Sequence, residues 1–230
     1  MSDDAKRLAG EAAAAEVETG MRLGLGTGST AAWFVKALGT RVRDEGLKVV
    51  GVPTSEATAV LAREVGLSLA TLEETRELDL TVDGADEIGP GLALIKGGGA
   101  ALLREKLVWE ASRRCLVIAD RAKVVERLGA FPLPVEVIPF GHVQTANRLT
   151  DVLVDFELTA IPRLRLKDGR PVLTDQGNFV YDVPCGRIEA EDALAAAIKG
   201  LTGVVEHGLF LGLADEAIVG LENGVERLSP

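Results

Sequence analysis

The sequence predicts an α/β protein: a doubly wound parallel sheet interrupted by a smaller α+β domain with an antiparallel sheet. Three observations predict it. Up to residue 119, short apolar runs alternate with segments of helical periodicity. Gly- or Asp-rich turns follow several of the apolar runs, at the edge where open α/β sheets bind ligands. Near Gly129 the texture changes: Phe131-Pro132-Leu133-Pro134 marks a boundary, and the hairpin signal Asp168-Gly169 lies beyond it. The expected division is a Rossmann-like domain of residues 1–128 plus 204–230, with 129–203 as the smaller domain.

Asp3 or Asp4 can cap a helix over 3–19, where Ala5, Leu8, Ala9, Ala12, Ala13 and Val17 recur at helical spacing until Gly20. Met21–Leu25 is a short strand leading into Gly24-Leu25-Gly26-Thr27-Gly28-Ser29-Thr30. A helix over Ala31–Leu38 follows, with Gly39 past its end. Leu47–Val52, Leu67–Ala70 and Leu78–Val82 read as strands, and Ser55–Val65 as a helix. Lys96-Gly97-Gly98-Gly99 opens a helix over Ala100–Ser112, and Cys115–Ala119 is a buried strand. Beyond the boundary come a strand at Val135–Pro139, a helix over 141–151, and a hairpin of Ile161–Leu166 with Pro171–Leu173. A strand at Phe179–Val183 and a helix over Ala190–Lys199 follow. Gly203–Phe210, Glu216–Leu221 and Gly224–Leu228 are strand-like and are expected to return to the first sheet.

A chain of 230 residues can bury a sizeable core without disulfides or metals. With 47% hydrophobic and 26% charged residues, disorder is excluded. Aromatics at 4% argue against a stacking platform for single-stranded nucleic acid. The net charge of -10, without a Lys/Arg block, argues against a nucleic-acid or anionic-membrane surface. It leaves room for a small anion, because a few local donors can hold one phosphate. Cys115 and Cys185 form no CxxC, and with His142 and His207 as the only imidazoles no metal-ligand spacing emerges. These four residues read as structural, and the thiols fit a reducing compartment. No apolar stretch has membrane-spanning length, and residues 1–10 lack the apolar core of a signal peptide. The expectation is a soluble cytoplasmic protein with no metal, no cofactor, no nucleic acid and no membrane.

Four segments carry possible chemistry. In the first glycine turn, Gly24–Thr30, the glycines let the backbone point N–H groups at an anion, while Ser29 and Thr30 add hydroxyls at a helix N-terminus. It is neither a Walker A loop nor GxGxxG, because Ser29 stands where the third glycine belongs, and a plain tight turn with a Ser/Thr cap is the alternative. Asp83-Gly84-Ala85-Asp86 ends a buried strand with two carboxylates and small residues between, leaving room for a ligand; an Asx-turn with a helix cap explains it as well. Lys96-Gly97-Gly98-Gly99 costs backbone entropy at a helix start, for which close approach to a ligand is a reason. Glu105 lies on an otherwise small, apolar face of the following helix, a solvated glutamate paired with a nearby Arg or Lys being the alternative. Asp120 and Lys123 follow the fifth strand at the same sheet edge, Lys123 as a phosphate ligand or a surface lysine.

Together these segments resemble ribose-5-phosphate isomerase, type A. The resemblance rests on Gly24–Thr30, Val52-Pro-Thr-Ser55, Asp83-Gly-Ala-Asp-Glu-Ile88 and Lys96-Gly-Gly-Gly-Ala-Ala-Leu-Leu-Arg-Glu-Lys106. Ile118-Ala-Asp-Arg-Ala-Lys123 and Pro139-Phe-Gly141 add to it, and it spans essentially the whole chain. One departure is Gln176, where the family usually carries Asn. The resemblance implies interconversion of ribose 5-phosphate and ribulose 5-phosphate through an enediolate, without a metal, in the non-oxidative pentose phosphate pathway. It implies Glu105 as the proton acceptor, with Asp83, Asp86 and Lys96 as further catalytic residues. Substrate contacts would come from Thr27, Gly28, Ser29, Thr30, Gly84, Ala85, Gly97, Gly98, Gly99 and Lys123. Ser29, Thr30 and Lys123 would face the phosphate, Lys6 being a further contact to it. A homodimer or homotetramer is implied, with the insertion contributing contacts.

The residue types suit those roles. One carboxylate can lift a proton from a carbon beside a carbonyl and return it one carbon away. Lys96 and loop N–H groups can hold the charge developing on oxygen, one such donor being worth roughly 3 kcal/mol of barrier. Asp83 or Asp86 can move protons among hydroxyls. Two other classes are a coenzyme A transferase with a Glu nucleophile, marked by an acyl thioester on Glu105, and a non-catalytic sugar-phosphate sensor, which would bind without turnover and would need a DNA-reading module that the acidic N-terminus does not offer.

Overall fold

The computed structural model describes residues 3–230. The chain forms two compact units. The first comprises Met1–Ala85, Arg104–Val124 and Gly212–Pro230; the second comprises Asp86–Leu103 and Val125–Leu211.

The first unit is built on a seven-stranded sheet among the described residues. Its order runs Gly224–Leu228, Glu216–Leu221, Cys115–Asp120, Leu80–Gly84, Arg22–Leu25, Val50–Pro53 and Ser68–Leu69. All neighbours pair in parallel except the 224–228 edge, which is antiparallel to 216–221. From Arg22–Leu25 the chain passes outward to 50–53 and 68–69, then returns to 80–84 on the other side. The strand order therefore reverses between Arg22–Leu25 and Leu80–Gly84, which makes a topological switch point there. Cys115–Asp120 is buried at every position, which is why it reads as a continuous apolar run rather than an alternating one. Leu23, Leu25, Phe34, Val35, Leu38, Val82, Leu116, Ile118 and Ile218 are fully buried in one core. Each such side chain contributes about 1.5–3 kcal/mol of burial.

Two helices of this unit differ from expectation. The first is Asp3–Ala14, shorter than 3–19, and its end is capped from outside: Arg41 Nη1 donates to Ala14 O at 2.6 Å and Val17 O at 2.8 Å. The second runs Ser29–Glu45 straight through Gly39 and ends at Gly46, which takes the left-handed conformation. Gly39 is a packing residue instead: a Cβ there would lie 2.5 Å from Val65 Cβ.

The second unit holds a four-stranded antiparallel sheet in the order Val204–His207, Leu133–Val137, Phe179–Val183, Arg163–Leu164. The hairpin Leu166–Lys167/Arg170–Pro171 turns at Asp168 (φ 52°) and Gly169 (φ 75°), as its Asp-Gly pair predicts. Helices His142–Asp155 and Glu191–Lys199 bury Leu149, Leu153, Leu194 and Ile198 with Leu133, Val135, Val137 and Val183.

The partition departs from the 1–128/129–203/204–230 division. Residues 86–103, 125–128 and 204–211 group with the second unit, because their backbone bonds go there. Leu94–Ile95 pairs with both Glu87–Ile88 and Leu209–Phe210, and Val204–His207 pairs with Leu133–Val137. The buried Glu87 carboxylate accepts the N–H groups of Gly129 (2.7 Å) and Phe131 (2.6 Å), tying the start of this stretch to the 129–131 turn. Only Glu216–Leu221 and Gly224–Leu228 return to the first sheet.

Candidate active site

In the first unit the switch point gathers the Gly26–Thr30 turn and the end of strand Leu80–Gly84. Asp83 is fully buried, and its Oδ1 accepts the N–H of Thr27 at 3.0 Å and of Gly84 at 2.7 Å. Gly26 makes this approach possible: a Cβ would lie 2.2 Å from Asp83 Oδ1. Thr27 Oγ1 lies 2.7 Å from Thr54 Oγ1 and 2.8 Å from Ser55 Oγ, and Thr58 Oγ1 donates to Gly26 O at 2.9 Å. Ser55 also caps helix Glu56–Glu64 by accepting the Thr58 N–H. Val52–Ser55 is thus the floor of the glycine turn.

Helix Ser29–Glu45 begins beside this floor. Gly28 (φ 107°) precedes it and supplies no side-chain cap, so first-turn N–H groups and the positive end of the helix dipole face outward. Ser29 is exposed and Thr30 half-buried, and Lys6 Nζ donates to Ser29 Oγ at 2.9 Å. Lys123 is half-buried in the one-turn helix Arg121–Lys123 that follows strand Cys115–Asp120, and Asp120 Oδ1 caps that turn at Ala122 N–H, 3.0 Å away. Glu105 sits on helix Leu102–Glu110, is 3% exposed, and shares this burial with Lys106, Val108 and Trp109. Ala85, half-buried, ends this part of the unit.

Asp86, Lys96, Gly97, Gly98 and Gly99 belong to the second unit. Asp86 Oδ2 accepts the Gly98 N–H at 2.8 Å, and a Cβ on Gly98 would lie 2.6 Å from Asp86 Oδ1. Gly97 has φ 105°, a conformation that favours glycine. Lys96 is 2% exposed, with Nζ 5.5 Å from the Phe210 ring centroid. Arg165, which no motif in the sequence marks, donates to the Gly97 and Gly98 carbonyls at 2.9 and 3.1 Å. The Thr54 and Ser55 hydroxyls were legible only as part of the Val52–Ser55 resemblance, and Thr58 carried no signal in the sequence.

The histidines and cysteines are structural in geometry. His142 Nδ1 is 2.8 Å from Tyr181 Oη, and buried His207 accepts the Leu209 N–H at Nδ1. Burial pushes the Cys115 thiol up to about 12 and the Cys185 thiol to about 11, away from the thiolate form a nucleophile needs. Among the described residues, no group of three or more His, Cys, Asp or Glu is placed to hold a metal ion, and no helix is long and apolar enough to cross a membrane.

An open α/β domain whose switch point sets a buried carboxylate, Asp83, against a polar glycine turn is the framework of an enzyme acting on a small ligand. Residues 50–224 match the family Ribose 5-phosphate isomerase A (phosphoriboisomerase A). The chain is 65% identical over 230 residues to a ribose-5-phosphate isomerase A of Caulobacter vibrioides (strain NA1000 / CB15N), covering 100% of this chain and 99% of that one. It is similar to the solved ribose 5-phosphate isomerase A of Methanocaldococcus jannaschii, at 38% identity and TM-score 0.93, with both chains covered in full. A D-ribose-5-phosphate isomerase solved in complex with phospho-erythronic acid is 37% identical, with TM-score 0.92 and both chains again covered in full. The chain belongs to the ribose 5-phosphate isomerase A family and is an isomerase.

Proposed function

We propose that this chain interconverts ribose 5-phosphate and ribulose 5-phosphate, with Glu105 as the base. Glu105 takes the proton from C2 of the open-chain aldose. The C–H electron pair forms the C1–C2 double bond of an enediolate as the carbonyl π pair moves onto O1. A proton passes from the C2 hydroxyl to O1, and the conjugate acid returns its proton to C1 as the O2 electrons form the ketone carbonyl. One residue serves both steps because each leaves it in the form the next requires. Lys96 and the N–H groups of its glycine loop hold the oxygen on which charge develops. Asp83 and Asp86 exchange protons with hydroxyls and assist ring opening. Ser29, Thr30, Lys6 and Lys123 take the phosphate, with Thr27 and Gly28 shaping the turn; the outward helix N-terminus after Gly28 supports this despite the overall charge of -10. Gly84 and Ala85 keep the carbohydrate's approach open by their size.

The observation that carries the base assignment is a carboxylate only 3% exposed on a helix of a chain in this family. A place in the non-oxidative pentose phosphate pathway, in the cytoplasm, goes with the reaction; the two free thiols support a reducing location. Assembly as a homodimer or homotetramer is part of the same proposal, supported by Ile138, Phe140 and Val143, of which Phe140 is 90% exposed.

The test is turnover in D₂O followed by NMR. The chain is expected to carry solvent deuterium into the product carbon and to remain active in EDTA. Glu105→Gln is expected to lose roughly 10³-fold in kcat, within the range of a removed general base, while still binding a non-reacting four-carbon phosphate acid. Near-normal turnover by that variant rejects Glu105 as the base, and a metal requirement overturns the assigned electrophile.

A further inference from the structure

The Lys96–Gly99 loop poses a physical problem. Three successive glycines lose more conformational freedom on ordering than any other residues, yet a loop that stabilises developing charge must be ordered before reaction. Something has to hold it.

We propose that Arg165 is a positioning residue, clamping the Gly97–Gly98 and Gly98–Gly99 peptides so that the Gly98 N–H is held on Asp86 and the Gly99 N–H is aimed away from the guanidinium; this rests on the isomerase reading above. The geometry is a fork with both edges engaged. Arg165 Nη1 donates to Gly97 O at 2.9 Å and Gly98 O at 3.1 Å. Its other edge is taken by Asp182, Nε to Oδ2 at 2.9 Å and Nη2 to Oδ1 at 2.5 Å. A guanidinium is planar and rigid, so the carboxylate on one edge fixes where the other edge points.

The base of the clamp is itself fixed. Arg165 N donates to Val180 O at 2.8 Å, and Arg165 O accepts from Val172 N at 2.9 Å. Asp182 lies in strand Phe179–Val183, paired on both sides. The arginine side chain is 15% exposed, dry enough for its hydrogen bonds to weigh more than those of a surface pair.

The consequence follows from the planarity of the peptide bond. In a trans peptide the C=O and the next N–H point in opposite directions. Holding Gly97 O therefore directs Gly98 N–H away from Arg165, where it meets Asp86 Oδ2 at 2.8 Å. Holding Gly98 O directs the Gly99 N–H the same way, from an exposed residue. Arg165 thus connects the small antiparallel sheet to two elements of the proposed chemistry, Asp86 and the loop amides, without touching substrate.

The experiment compares the full chain with Arg165→Ala, Arg165→Lys and Asp182→Asn by steady-state kinetics, thermal unfolding and amide hydrogen exchange at Gly98. Misaiming donors by about an ångström is expected to lower kcat of Arg165→Ala roughly 10²-fold with KM changed less than about threefold. Millimolar guanidinium is expected to restore part of that activity while leaving the unsubstituted chain unaffected. Arg165→Lys should fall between, since an ammonium reaches one carbonyl and cannot fork to Asp182. Gly98 exchange should accelerate at least about tenfold in Arg165→Ala, as protection tracks local opening. Folded variants with kcat within about twofold of the unsubstituted chain overturn the role, as does a loss that tracks Tm and ignores guanidinium. If Arg165→Ala does not fold, Arg165→Lys and Asp182→Asn decide by the same criteria. Absence of turnover in the unsubstituted chain overturns the isomerase reading instead; the Gly98 exchange then still accepts or rejects the clamp.

Discussion

The backbone N–H of Thr27 donates to the buried carboxylate of Asp83 across the sheet's switch point, 3.0 Å away. This bond joins the first glycine turn to the end of the neighbouring strand, residues 56 positions apart. It sets where the turn's amides and hydroxyls stand relative to a carboxylate, and it exists because Gly26 has no side chain.

Gly26→Ala is expected to lower kcat by about 10²-fold or more, because the new methyl occupies the place of Asp83 Oδ1, and displacement of this order near reacting groups has that cost. Gly26 does not have positive φ, so backbone strain is not the cause. Kinetics together with circular dichroism check this; a folded variant with unaltered kcat contradicts it.

Gly39→Ala reverses an ordinary rule. Alanine in a helix interior is favoured over glycine by about 1 kcal/mol. At Gly39 the added carbon meets Val65 Cβ at 2.5 Å and Val65 O at 2.8 Å, and overpacking costs about 1–3 kcal/mol. Net destabilisation is expected, measured by urea unfolding. Val65→Ala in the same chain should recover only part, since Val65 Cβ and O remain.

Glu216 gives the stability a pH dependence. Its carboxylate bonds Arg227 and Arg114, which in turn hold Glu16. The bond from Arg227 is the main cause that holds Glu216 below its ordinary 4.5, with burial opposing it. A depressed folded value means the unfolded chain binds the proton more readily, so this contribution is complete above about pH 4.5 and is lost as the pH falls through the folded value. Glu216→Gln should therefore cost about 1 kcal/mol at pH 7, the upper end for partly exposed pairs. The difference should vanish in acid and shrink in high salt. An unchanged difference at pH 3 in denaturant unfolding counts against it.

Much of the architecture was legible in the chain itself. Alternating buried runs and helical periods predicted the parallel sheet, and the strands Phe179–Val183, Glu216–Leu221 and Gly224–Leu228 stand within their expected bounds. The Asp168-Gly169 turn was readable because two positive φ values are a local demand that few dipeptides meet. Such features depend on neighbours within a few residues, and that information is carried by order alone. What tertiary structure decided was each feature whose cause lies far along the chain. Gly39 looked like a helix end and proved a contact with Val65. Residues 204–211 looked like returning strands and pair instead with Leu133–Val137 and Leu94–Ile95. Arg165 carried no signal because its meaning comes from Gly97, 68 residues away, brought within 2.9 Å only when the chain folds. Periodicity and turn chemistry act at short range, whereas a hydrogen bond between distant residues is settled by packing.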